Sequence, residues 1–341
     1  MANGPRVMAR SVGGADLSDP SRFAALRDRL SLPLIAAPMF LVSGVDLVVA
    51  ACVEGVIGSF PTANCRTVEE LENWLGAMRD RIDAGEQRTG RPAAPVAPNL
   101  IVHPSNPRLK DDLAAVTRFA PAMVITSVGS PASVLPPLRD AGALVFADVA
   151  TIRHAERAIE AGADGLILLT AGAGGQTGWL NPFAFVRAVR AFFDGPLVLA
   201  GGVSDGHALH AARILGCDLA YMGTKFIATP ESMAAEGYKA MLARSNADDV
   251  LLTRAFTGLQ TNMLKPSIVA AGLDPDALPE RGAIDISVDI NVDARPKRWR
   301  DIWSAGHSVS GVSAVRPVAE IVAATRAEYE NARASAAALR A

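Results

Sequence analysis

Eight short apolar runs alternate with longer amphipathic stretches between residues 34 and 222, and this rhythm constrains the fold more than any other feature. The runs are Leu34-Ile35-Ala36-Ala37, Gly55 to Phe60, Ala94 to Val102, Ala122 to Ser127, Ala143 to Asp148, Gly165 to Thr170, Pro196 to Ala200 and Asp218 to Met222. Their hydropathy is continuous rather than alternating, as strands covered on both faces of a parallel sheet require. Helical periodicity marks the spans between them, such as Thr67 to Ala84, Pro107 to Phe119, Pro131 to Ala141 and Thr151 to Ala161. Gly or Ala-Gly closes most of these spans, as helix C-termini favour.

Eight strand and helix units match an α/β fold of the (β/α)8 TIM barrel type in number and total length. A doubly wound sheet is the alternative, but its G-x-G-x-x-G fingerprint fails, because Gly172-Ala173-Gly174 is followed by Thr177 where the third glycine belongs. The rhythm changes after about Arg244. Asp248 to Gln260 reads as a strand or short helix, Leu264 to Ala271 follows, and then an acidic stretch containing proline. The expected organisation is a barrel over residues 25–245, a smaller lid segment over 246–316, and a C-terminal helix over 317–341 that returns to the barrel.

Three of the strand ends run into glycine. The stretch that begins at Leu166 reads LILLTAGAGGQTGWLNPF, with Gly172, Gly174, Gly175 and Gly178 in the loop and Asn181-Pro182 as cap and first turn of the next helix. Gly201-Gly202 follows the seventh run, with Ser204-Asp205 placed to cap a helix, and Gly223-Thr224-Lys225 follows the eighth. Exposed backbone amides, helix N-termini and a threonine hydroxyl at consecutive strand ends suit a phosphate, and in a barrel this is the phosphate site after strands seven and eight.

Composition narrows the partners. The net charge of −2 and the absence of basic runs leave no long-range attraction for nucleic acid or an anionic membrane. The first residues lack the continuous apolar segment of a secretory signal, and no later run is long enough to span a bilayer, so a cytoplasmic location is expected. Cys52, Cys65 and Cys217 are too far apart for a redox or zinc pair and read as buried thiols. His207 and His210 share a helical face but have no third ligand at a recognisable spacing, so no metal is expected.

Ala37-Pro38-Met39 after the first run, GAGGQTG after the sixth, LAGGV at the seventh and YMGTKFIATPES at the eighth together resemble the nitronate monooxygenase, or 2-nitropropane dioxygenase, family. The resemblance extends from about Leu34 to Trp303-Ser304-Ala305-Gly306-His307 and is most specific in the order and spacing of the last three barrel motifs. It implies non-covalent FMN at the C-terminal ends of the strands, with a second domain covering the isoalloxazine ring. By motif, Gly201, Gly202, Gly223 and Thr224 would hold the phosphate. Pro38, Met39 and Asn99 would lie beside the ring or ribityl chain, and Gly174 and Gly175 would line the approach to the ring.

One departure stands out: Gln176 occupies the place where the family commonly has histidine. An amide donates and accepts hydrogen bonds but takes no proton near neutral pH. The resemblance implies that the histidine deprotonates neutral nitroalkanes, whereas a nitronate arrives already ionised. His103, after the third strand, and His307, in a late motif where relatives often carry Gln, are the candidates to restore an imidazole. Three readings stay open. The first is an FMN oxidoreductase acting on nitronates with O2. The second is an FMN dehydrogenase or reductase using NAD(P)H on an enoyl or ketone substrate, a CoA thioester met by Arg108 and Lys110 being one such substrate. The third is a flavin-binding protein without turnover. The oligomeric state stays open too, a homo-oligomer being one outcome.

Overall fold

The computed structural model describes residues 20–279 and 300–338. Its centre is a closed parallel barrel of eight strands: β1 (Leu34–Ala36), β2 (Ile57–Pro61), β3 (Val96–Ile101), β4 (Met123–Ser127), β5 (Leu144–Val149), β6 (Gly165–Leu169), β8 (Leu197–Ala200) and β9 (Leu219–Met222). Closure is made by β9 pairing with β1, with Leu34 opposite Ala220 and Ala36 opposite Met222. The chain is therefore the (β/α)8 barrel expected from the eight apolar runs; six runs contain their strands, and β2 and β5 each extend one residue beyond theirs.

Successive residues of a strand face opposite sides, so each strand sends one set inward and one toward the helices. Inside, Ile35, Ile57, Ala97, Ile125, Phe146, Ile167, Val198 and Leu219 form one buried cluster, which Leu26 of the N-terminal helix Pro20–Asp28 closes from below. The Phe23 ring of that helix lies 6.0 Å from the Phe146 ring. Gly165 makes the room for this packing, since a Cβ there would stand 2.4 Å from the Phe146 ring.

Two helices depart from their expected ends. The third helix runs on past Ala84 to Thr89, where Gly90 at φ 65° provides the cap. Gly85 does not stop it, because that position is buried against Val53 with no room for a Cβ. The span Pro131 to Ala141 divides into a short 3-10 turn, Pro131–Ser133, and a helix, Leu135–Asp140. Pro136 and Pro137 lack the N–H groups that would have joined them.

A second sheet lies beside the barrel mouth. It is antiparallel, in the order β10 (Val250–Thr253), β11 (Thr261–Leu264) and β7 (Gly175–Gln176), so its last strand belongs to the glycine loop after β6. The C-terminal helix, Val318–Ala338, packs on the helix Gly206–Leu215. Gly206 allows the close approach: a Cβ there would meet the Tyr329 nitrogen at 2.1 Å, and its N–H donates to Glu328 Oε2 at 2.9 Å. All three cysteines are buried and form no disulfide, and burial pushes each thiol up to about 12. No described helix is long and apolar enough to cross a membrane, and no group of three metal-ligating side chains occurs among the described residues.

Candidate active site

The inward positions two residues beyond the interior core form the top of the barrel: Asn99 above Ala97, Ser127 above Ile125, Asp148 above Phe146, Leu169 above Ile167, Ala200 above Val198 and Tyr221 above Leu219. These six line a cavity at the C-terminal face, of about 1470 Å³ counting its mouth open to solvent. The C-terminal ends of the strands are where a barrel of this kind places its ligand.

Polar groups on this floor fall into two kinds. Asn99, which is buried, donates from Nδ2 to Ser127 Oγ at 3.2 Å. Asp148 and Tyr221 are unpaired: Asp148 Oδ1 and the Tyr221 hydroxyl are sealed from solvent without a hydrogen-bond partner. Burial lifts the Asp148 carboxyl to about 8. Burial first, and the neighbouring Asp148 second, hold the Tyr221 phenol well above its usual range.

One rim of the cavity is glycine. Gly172 and Gly175 adopt φ 93° and 69°, and Gly174 sits so close to the 305–306 backbone that a Cβ would stand 2.7 Å from the Gly306 nitrogen. Four hydrogen bonds tie this loop and its surroundings to the second sheet and the segment after it. Asn262 Nδ2 donates to the Ala173 carbonyl at 2.7 Å, Thr177 N to the Gln260 carbonyl at 3.0 Å, His307 N to the Gly172 carbonyl at 2.9 Å, and Gly306 N to Thr224 Oγ1 at 3.0 Å. Replacing Asn262 with alanine is expected to lower stability by about 1–3 kcal/mol, because a buried carbonyl loses its partner. Urea titration measures the loss, and faster hydrogen exchange at residues 172–177 would locate it.

Across the cavity, Gly201 and Gly202 adopt φ 122° and 77° after β8. A Cβ on Gly202 would meet nothing within 4 Å, so the space beside its backbone is open. Lys225 donates from Nζ to the Ser204 carbonyl at 2.7 Å and braces this loop. The outer wall is apolar, with Met39, Phe40, Val42 and Ile227. It is completed by Tyr238 and Trp303, whose rings stack at 5.0 Å and 9°. The Tyr238 hydroxyl donates to the Ser304 carbonyl, and burial pushes the phenol up to about 12.

The sequence-derived cofactor residues Pro38, Met39, Asn99, Gly174, Gly175, Gly201, Gly202, Gly223 and Thr224 all line this one cavity, and so does Gln176. Neither histidine does. His103 turns back on its own loop, where Nδ1 lies 2.8 Å from Ser105 Oγ and accepts the Ser105 N–H at 3.2 Å. His307 is exposed and lies behind Gly172, whose Cβ would stand 2.8 Å from its Nδ1. The late motif and the glycine loop therefore do meet, but through backbone, and no imidazole enters the cavity lining. Arg108, which the CoA thioester reading would have meet a pyrophosphate, is bound to Asp112 at 2.7 Å and to the Cys65 carbonyl.

Residues that the sequence reading passed over are Asp148, Ser127, Tyr221, Tyr238 and Trp303. The first three carried a legible signal: each is a polar residue at the end of an apolar strand, two positions beyond a core residue on the inward face. The Tyr238 and Trp303 stack joins positions distant in the chain and left no local trace.

An open barrel mouth with a glycine cradle, a shelf at Pro38 and Met39, and unpaired polar groups on its floor defines a cofactor-dependent barrel enzyme. The family described as nitronate monooxygenase matches residues 102–279, just over half of the chain. A nitronate monooxygenase of Paraburkholderia phytofirmans is 28% identical over 87% of this chain and 92% of its own length. A Rhodococcus jostii protein named as (3aS,4S,5R,7aS)-5-hydroxy-7a-methyl-1-oxo-octahydro-1H-indene-4-carboxyl-CoA dehydrogenase is 25% identical over 70% of this chain and 64% of its own length. The solved structure of nitroalkane oxidase from Streptomyces ansochromogenes superposes with a TM-score of 0.77 at 24% identity, covering 91% of this chain and 99% of that one, and shares the fold. The chain belongs to the nitronate monooxygenase family and is an oxidoreductase of the flavin-dependent kind.

Proposed function

We propose that the chain is an FMN-dependent oxidoreductase of the nitronate monooxygenase type, oxidising alkyl nitronates with O2. The observation that carries this reading is Gln176, which lines the cavity on the glycine loop where an imidazole would act as base. With an amide there, the pocket suits a substrate that is already ionised. The amide N–H is suited to a nitronate oxygen, and the wall of Met39, Phe40, Val42 and Ile227 to the alkyl group.

The cavity fits a flavin on its own geometry. Gly202 leaves empty the volume that a side chain would fill, which leaves room for a phosphate against its backbone. Gly201, Gly202, Gly223 and Thr224 would hold that phosphate; Thr224 Oγ1 already accepts the Gly306 N–H, which leaves its own O–H to donate. Pro38, Met39 and Asn99 would flank the ring and ribityl chain, with Gly174 and Gly175 keeping the approach clear. When bound, FMN supplies a two-electron acceptor that O2 reoxidises. Residues 25–245 then act as the cofactor-binding barrel and residues 246–279 and 300–316 as its cover, the rest of the expected lid segment lying outside the described residues.

A second reading is a dehydrogenase or reductase of an enoyl or ketone substrate carried by CoA, which the name of the Rhodococcus relative favours. Against it, the Arg108 guanidinium is committed to Asp112 and Cys65. Anaerobic mixing of the purified protein with propyl nitronate, with NADH or NADPH, and with enoyl-CoA thioesters separates the two. Propyl nitronate is expected to bleach the visible flavin band, and air to restore it. Bleaching only by reduced nicotinamide would reverse the assignment, and a protein that takes up no FMN would remove the cofactor.

A further inference from the structure

Two groups on the cavity floor have no part in the reaction as proposed: Asp148 and Tyr221. Asp148, next to last in β5, shares the inward face of Phe146 and lines the cavity half-buried, while its Oδ1 is sealed and unpartnered. Its neighbours offer no charge. On β4, Thr126 donates its hydroxyl to the Phe146 carbonyl at 3.3 Å, and Ser127 is paired with Asn99. On β6, Ile167 stands opposite Asp148, with Leu169 above it. The ionisable group that faces it is Tyr221 on β9, itself held neutral.

A carboxylate with an orphaned oxygen in such a place is costly, whereas the neutral acid is not. Burial accordingly lifts the group to about 8, so at neutral pH it is an O–H donor. Buried polar groups in folded proteins find partners. Here Asn99 and Ser127 satisfy each other, which leaves Asp148 on the cavity lining without a partner.

We infer that the protonated Asp148 carboxyl donates a hydrogen bond to the bound flavin from the cavity floor, so that flavin affinity switches with the ionisation of this one side chain. The inference rests on the cavity being the flavin site. Ring carbonyls, ring nitrogens and ribityl hydroxyls are all acceptors. An ionised Asp148 loses its donor and sets a negative charge against them. The sign follows: affinity is full below the carboxyl's pKa and is lost as pH rises through it, and bound flavin, which favours the neutral acid, raises that pKa further.

The test is FMN titration of the flavin-free wild type, Asp148→Asn and Asp148→Ala, followed by fluorescence quenching in buffers that bracket the pKa. Wild-type Kd is expected to be constant on the acid side and to rise by up to about tenfold per pH unit on the alkaline side. Asp148→Asn, whose amide still donates, is expected to bind without that step, and Asp148→Ala to bind weakly throughout. Ionisation of FMN itself appears equally in all three and cancels. A wild-type Kd without the step, or the same step in Asp148→Asn, overturns the inference and leaves the flavin site standing. A step seen only in the KM for nitronate also overturns it and assigns the carboxyl to the substrate. No FMN uptake by the wild type at any pH overturns the inference and the FMN reading together. Because Asp148→Asn is nearly isosteric, the comparison stands even if the alanine variant does not fold.

Discussion

A Gly202→Leu variant is expected to purify colourless while keeping the wild-type far-ultraviolet circular dichroism. The separation of the two effects follows from the local geometry. At φ 77° an L-residue is strained, at a cost of about 1–2 kcal/mol, which a barrel of this size absorbs. The added Cβ meets no protein atom within 4 Å, so the core is not disturbed and the side chain enters the cavity instead. Gly201 is a poorer choice, since its Cβ would strike Thr170 Oγ1 at 2.5 Å and displace the glycine loop. Loss of two charge-assisted hydrogen bonds to a phosphate, each about 1.5–3 kcal/mol, weakens FMN by about a hundredfold or more. Stoichiometric FMN in the purified variant would place the phosphate elsewhere and sink the assignment of Gly201, Gly202, Gly223 and Thr224.

The barrel was legible because each strand is a buried run bounded by a turn signal, and because inside and outside of a closed parallel sheet are both apolar. The cavity was legible where chemistry requires glycine: Gly201 and Gly202 hold backbone conformations that other residues avoid. Orientation was the harder part. His103 stands just beyond a strand end, which in a barrel is where functional groups collect, but its ring folds back onto Ser105. His307 reaches the glycine loop through its N–H rather than its ring.

The sheet made by β7, β10 and β11 was illegible for a different reason. Two residues, Gly175 and Gln176, carry no periodicity, and their partners Asn262 and Thr261 lie far along the chain. Gly85 misled in the opposite sense. A glycine near a helix end reads as a cap, yet this one is needed for packing on Val53, and the true cap is five residues later. Asp148 lay in plain view as the one charge at the end of an apolar strand. Its meaning comes only with closure of the barrel, which turns that position inward onto the cavity and seals one of its carboxyl oxygens.

Gln176→His is expected to create turnover of neutral nitroalkanes while retaining nitronate oxidation, because a neutral imidazole still offers one N–H in place of the amide donor. The exchange is conservative in position, because β7 holds the Gln176 backbone by pairing with Thr261 and leaves only the side chain to change. An imidazole with a pKa near 6.5 is largely neutral at pH 7 to 8 and serves there as a general base, an effect of about 10²–10⁴ in rate. The gain is therefore expected in kcat/KM for nitroethane or 2-nitropropane, with a pH profile that falls as the ring is protonated and no matching fall with propyl nitronate. Steady-state oxygen uptake with the two substrates reads both quantities. An unchanged rate with neutral nitroalkanes, alongside retained nitronate activity, would mean that the missing base is not what limits the pocket. An unchanged rate in a variant that also ignores nitronate would turn the assignment toward the thioester reading, because the amide would then be matched to a carbonyl rather than to a nitronate.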